Sequence, residues 1–149
     1  MPNASKLDPL NVADRLHSAA IRLLRRVRVV DSESGLSAPK LSALSVLHFG
    51  GPTSLSALAR VEQVRAPTMS KLVADLEADG LVAKKADRAD RRGVRIEVTA
   101  KGRALMEEGR RKRLALLRNR LAALPRADLQ TLSAAADLVL RVAAEESPK

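Results

Sequence analysis

The side chains best equipped for chemistry in this chain are arginines. Arg88, Arg91 and Arg92 crowd into the run DRADRRG between Asp87 and Gly93, where no apolar pattern asks for them. Guanidinium groups gathered on a loop suit phosphate oxygens, or the concentrated negative potential of a DNA minor groove. Enzymatic chemistry has much less to use. His17 and His48 are the only side chains that ordinarily titrate near neutral pH, and they fall in different helical patterns without metal-ligand spacing. Each is read as an ordinary, partly buried histidine. The seven glycines are scattered and form no phosphate-cradling loop. Cysteine is absent, which excludes disulfides, thiolate metal sites and thiol-based oxidation sensing. The expectation is a protein that is not an enzyme and holds no metal or cofactor.

The elements around the arginine loop must aim it. Upstream, Leu55, Leu58, Ala59 and Val61 mark a short helix with Ser54 as its N-cap. Glu62 to Arg65 breaks the rhythm, and Pro67 restarts a helix where its missing N–H is harmless. Met69, Leu72, Val73 and Leu76 give that second helix one buried stripe, and Gly80 ends it. Two strands, Leu81–Ala86 and Val94–Thr99, then flank the arginine loop, the second alternating Val94, Ile96 and Val98 with Arg95 and Glu97. Helix, turn, helix and basic hairpin make a winged helix-turn-helix, which lays its second helix in the DNA major groove. Residues near that helix's N-terminus reach base edges, so Ala66, Pro67, Thr68, Ser70 and Lys71 are the candidate readers, while Met69 points to the core. Arg65 adds a charge suited to a phosphate. Ser54, Arg88, Asp90, Arg91, Arg92 and Arg95 complete the candidate DNA-contacting set.

The segment LSALARVEQVRAPTMSKLVADLEADGLV followed by DRADRRGVRIEVTAKG resembles the core of the MarR family of bacterial transcriptional regulators. The resemblance is carried by Leu76-Glu77-Ala78-Asp79-Gly80-Leu81-Val82, by the wing signature Asp90-Arg91-Arg92-Gly93-Val94, and by Thr99-Ala100-Lys101-Gly102. It implies a homodimer, usually a repressor, on a pseudo-palindromic operator of double-stranded DNA. It also implies that Asp90 orients nearby basic side chains and that Arg92 reaches the minor groove. Two positions depart from the family pattern. Arg65 stands where Ser often caps the recognition helix, and Ala57 stands where the first helix often has Glu. The resemblance further suggests a small aromatic or phenolic acid as effector, with His17 and His48 lining a cleft and Arg15 or Arg22 meeting the carboxylate. One Phe and no Trp or Tyr leave little for stacking on such a ligand.

The rest of the chain frames this unit. A net charge of +10 across 149 residues favours a polyanionic partner. From Leu10 to Val30, Val12, Leu16, Ala19, Ala20, Leu23, Leu24 and Val27 recur at helical spacing, with Asp8 near the start. Asp31–Ser37 reads as a loop, and Pro39 opens a helix carrying Leu41, Leu44 and Leu47 that stops at Gly50-Gly51-Pro52. A long helix begins near Ala100 and runs to about Leu124, with Leu114, Leu117, Leu121 and Leu124 as its later stripe. The run Arg110-Arg111-Lys112-Arg113 is read as its solvated face. Pro125 marks a bend, and the last helix carries Leu129, Leu132, Ala136, Val139 and Val142. The expected architecture is mainly α with a small β-hairpin wing. Residues 37–99 form the DNA-binding unit, and residues 1–36 and 100–149 supply dimerisation helices. No apolar run approaches a membrane span and the first residues lack a signal-peptide core, so a cytoplasmic protein with no membrane partner is expected. Two other readings compete: a non-specific architectural DNA-binding protein, and a winged-helix adaptor between proteins. The arginine-rich wing argues against the adaptor.

Overall fold

The structure, a computed structural model, describes residues 7–90 and 92–144. Six α-helices and three short strands follow one another among the described residues. They are α1 (Pro9–Val27), α2 (Ala38–Gly50), β1 (Thr53–Ser54), α3 (Leu55–Val61), α4 (Ala66–Ala78), β2 (Val82–Ala86), β3 (Val94–Val98), α5 (Ala100–Leu121) and α6 (Arg126–Ala143). No helix among the described residues is long and apolar enough to cross a membrane.

Helix α1 starts where Asp8 accepts the Asn11 N–H at 3.3 Å, as an N-cap should. It stops at Val27, earlier than its apolar spacing suggests, and a 3-10 segment takes over from Arg28 to Ser34. The reason is local. The Ser32 hydroxyl donates to the Val29 carbonyl at 2.8 Å and the Ser34 hydroxyl to the Asp31 carbonyl at 2.7 Å. Hydroxyls that reach back three residues compete with the α-helical ladder and favour the tighter turn.

The core gathers in the middle of the chain. Ala43, Leu44 and Leu47 of α2, Leu58 and Ala59 of α3, and Met69, Val73 and Leu76 of α4 meet Leu81, Val82, Ile96 and Val98 from the sheet, with Met106 of α5 closing one side. Two residues of the expected stripes stay out of it. Val61 is 62% exposed and Val94 is 50% exposed; Val61 is the last residue of α3, and Val94 lies at the wing end of β3.

The sheet has three antiparallel strands in the order β1-β3-β2, one more than a hairpin. Strand β1 adds Thr53 opposite Ile96 and Ser54 opposite Arg95. Strands β2 and β3 pair from Val82–Val98 at the core end to Ala86–Val94 at the tip.

The described residues up to Arg113 form one compact unit, and those from Leu114 onward form another. In the first, no residue of α1 is buried, and Leu10, Val12, Leu16, Ile21, Leu23 and Leu24 are exposed. In the second, Leu114, Leu121, Leu124 and most apolar residues of α6 are likewise exposed. These stripes remain on the surface of the unit that carries them.

Helix α5 crosses the sheet closely at Gly102. A Cβ there would lie 2.2 Å from the Leu81 carbonyl oxygen and 2.7 Å from Val98 Cγ1. The carbonyl belongs to the backbone and cannot swing aside. Gly102→Ala is expected to cost about 2–3 kcal/mol or more, seen as a lower urea midpoint with unchanged slope. Gly50→Ala, with nothing within 4 Å of the added methyl, should stay within about 0.5 kcal/mol of the parent.

Candidate nucleic-acid interface

Helix α3 begins with Ser54, whose hydroxyl accepts the Ala57 N–H at 3.2 Å. That bond makes Ser54 a cap and a strand residue first, half-buried beneath any surface it presents. The turn that follows is tight. The Gln63 N–H donates to the Arg60 carbonyl at 3.2 Å and the Val64 N–H to the Ala59 carbonyl at 3.0 Å. This pair of bonds needs a left-handed residue between them, and Gln63 takes it with φ 54°. No glycine announces the position.

Helix α4 then starts at Ala66 with Pro67 in its first turn and Arg65 as N-cap. Arg65 makes no side-chain capping bond, so the free N–H groups and the positive end of the helix dipole face outward. Met69, Val73 and Leu76 are fully buried, which turns the opposite face to water. Ala66, Pro67, Thr68, Ser70 and Lys71 are all exposed on that face, beside exposed Arg65.

The end of α4 sets the wing. The Gly80 N–H donates to the Glu77 carbonyl at 2.9 Å and the Leu81 N–H to the Leu76 carbonyl at 2.9 Å, with Gly80 at φ 72°. Leu81 and Val82 thereby return straight to the core that holds α4. The Thr99 hydroxyl donates to the Gly80 carbonyl at 2.7 Å and Lys101 Nζ to the Asp79 carbonyl at 2.8 Å, tying the far strand to the same corner.

The wing tip is shaped by its aspartates. Asp87 Oδ1 accepts the Ala89 N–H at 2.9 Å, and Asp90 Oδ1 accepts the Arg92 N–H at 3.0 Å. The Gly93 N–H donates to the Asp90 carbonyl, and the Asp87 N–H to the Gly93 carbonyl, both at 2.9 Å. Asp90 therefore holds the main chain of Arg92, where the resemblance implies that it orients side chains. Arg88 and Arg92 are exposed and have no ion-pair partner among the described residues. Arg91 lies outside the described residues. Arg95 is partly committed: its Nη2 donates to the Pro52 carbonyl at 3.2 Å, bracing the wing against the loop after α2. Lys84 and Lys85 are paired with Glu77 and Glu97.

This geometry is that of a reading helix beside a basic wing. A regulator of helix-turn-helix type from Mycobacterium tuberculosis is 37% identical over 137 residues, 92% of this chain and 95% of that one. A family model described as the MarR family matches residues 34–93. The chain belongs to the MarR family of transcriptional regulators. Solved structures agree on the fold. A transcriptional regulator from Thermotoga maritima superposes with a TM-score of 0.79 at 23% identity, over 88% of this chain and 92% of that one. A MarR family protein from Bacillus stearothermophilus gives 0.75 at 23% identity, over 95% and 97%. As a member of this family the protein is a DNA-binding transcriptional regulator.

The four residues considered for an effector do not come together on one cavity. Arg15, His17 and Arg22 lie exposed along α1. His48 is half-buried at the end of α2, its ring edge-on to Phe49 at 4.9 Å, and lines a recess of about 160 Å³ with Glu97 and Arg103. The basic run on α5 also differs from a plain solvated face. Lys112 Nζ meets Glu33 Oε2 at 2.5 Å, and Arg113 Nη1 meets Asp31 Oδ1 at 2.6 Å. These acids lie about eighty positions earlier in the chain, so no local pattern pointed to them.

The uncapped start of α4 generates a test. Arg65→Ser restores a capping hydroxyl and should stabilise the fold by about 1 kcal/mol, read as a raised urea midpoint. If Arg65 meets a phosphate, the same change should weaken binding to specific and random DNA alike and flatten the salt dependence, because it deletes that cation.

Proposed function

We propose that the protein acts as a homodimeric repressor that binds a pseudo-palindromic operator and is released from it by a small-molecule effector. The observation that carries this reading is the pairing of an exposed helix start with an arginine-bearing wing on one rigid corner. Thr68, Ser70 and Lys71 stand where hydrogen bonds to base edges are within reach, with Ala66 and Pro67 offering apolar contact. Arg65 serves a phosphate, and Arg88, Arg91 and Arg92 serve the minor groove.

Dimerisation is supported by the exposed apolar stripes of α1 and α6, which leave residues such as Leu16, Leu23, Leu132 and Val139 in water. Interlocking two copies would bury these stripes in a largely apolar interface. Residues 1–36 and 100–149 would then serve association and residues 37–99 recognition. A two-fold dimer presents its reading helices to half-sites about one DNA turn apart, or a multiple of that.

The direct test is binding to DNA upstream of the protein's own gene, against random competitor, over a salt series, with sedimentation to read the oligomer. Specific operator binding predicts a preference of about a thousandfold or more over random DNA. Equal affinity for both DNAs would point to an architectural protein, or to an operator elsewhere. Arg92→Ala should weaken operator binding by about 1–3 kcal/mol and leave the protein folded and dimeric. Unchanged affinity would remove Arg92 from the contact set.

A further inference from the structure

A cleft of about 1070 Å³ opens between the 3-10 segment, the outer side of α2 and the early turns of α5, wholly within the first compact unit. Val46 of α2, Val64 from the turn after α3, and Leu105 and Met106 of α5 give it apolar walls. Its charges are four carboxylates, Asp31, Glu33, Glu62 and Glu108, against three cations, Arg28, Lys112 and Arg113. A chain with a net charge of +10 thus carries a cleft in which acids outnumber bases.

Most of these charges are already matched. Arg113 is held by Asp31 and Lys112 by Glu33, while Glu108 is paired with Arg111 from outside the lining. Two remain. Arg28 is exposed at the edge, where water and salt screen it. Glu62 is half-buried at the end of α3, and its Oε1 accepts only the Ser42 hydroxyl, at 3.0 Å. It has no ion-pair partner among the described residues. A carboxylate beside apolar walls, partly withdrawn from water, attracts a cation far more strongly than one in open solvent. An arriving anion would instead have to break an existing ion pair or settle for Arg28.

We propose that this cleft takes a small lipophilic cation seated on Glu62, and not the aromatic acid that the family resemblance suggests. The proposal names the chemical class of the effector, so its regulatory meaning rests on the repressor reading above. The occupant is an amphipathic onium or amine. Aliphatic walls and the Met106 thioether would cover its apolar part, and no aromatic ring lines the cleft to stack on it.

Tetraphenylphosphonium and tetraphenylborate share one shape and carry opposite charges, which makes them suitable probes. Equilibrium dialysis of the full chain at about 0.15 M salt should show the phosphonium bound at least about tenfold more tightly than the borate. Glu62→Gln keeps the Ser42 bond and the side-chain shape, and should abolish that preference. Glu62→Lys should reverse it, whereas Arg28→Gln should leave it unchanged. Equal binding of the two ions by the parent protein, failure of the phosphonium to bind, or an unaltered preference in Glu62→Gln would each overturn the proposal. The comparison of the two ions on the parent protein decides the sign of the preference even where a variant fails to fold. Operator binding is measured in parallel without either ion. A protein that binds its operator but ignores the phosphonium loses only this inference. A protein that takes the phosphonium but no DNA keeps the cleft's chemistry and loses the repressor reading.

Discussion

Met69, Val73 and Leu76 have no surface in contact with water, and the rest of the molecule follows from where they are buried. Removing any one of them would cost about 2–5 kcal/mol for Met or Leu and less for Val, so α4 has little freedom to rotate. Fixing the buried face fixes the wet one, and Thr68, Ser70 and Lys71 are held outward in exposed positions. The same packing reaches the wing. The turn at Gly80 sends Leu81 and Val82 back into the core that grips α4, and the bonds from Thr99 and Lys101 close the corner from the other strand. The helix and the wing are therefore set relative to each other by the core and a handful of backbone bonds.

Charge is distributed in keeping with that division. Acidic residues near the end of α4 and on the strands are matched within the protein: Lys40 meets Asp79, Lys84 meets Glu77, and Lys85 meets Glu97. Exposed pairs of this kind add little to stability. Their effect is to neutralise those acids locally, while Arg65, Lys71, Arg88 and Arg92 have no acidic partner among the described residues. The Arg95 guanidinium also holds the Pro52 carbonyl. Asp31 and Arg113 form a third arrangement, binding the segment after α1 to α5.

Features carried by neighbouring residues were legible in the sequence. Ser54 as a cap, Pro67 at a helix start, Gly80 at a helix end and the alternation of β3 each depend on interactions within a few positions. Features that depend on distant partners were not. Strand β1 is two residues long and exists only because β3 lies beside it. Gln63 takes a left-handed conformation that its own chemistry disfavours, imposed by the two helices it joins. The ion pairs of Lys112 and Arg113 look in sequence like any basic helix face. Of the elements that carry the candidate site, the second helix of the pair and the wing strands were visible. The commitment of Arg95 and Ser54 to holding the fold, and the scatter of the residues expected to bind an effector, needed the three-dimensional arrangement.

The wing tip separates shape from lettering. Asp87 and Asp90 set its curve by accepting main-chain N–H groups, and neither bond involves an arginine side chain. Replacing the side chain of Arg88 or Arg92 would thus change the charge of the tip and leave these main-chain bonds in place. Exchange of these side chains one at a time would leave both aspartate bonds, and so the curve of the tip, in place. Loss of either aspartate would blur the loop whatever arginines it carried. Divergence among regulators built on this frame should therefore run through the cations and spare the acids between them.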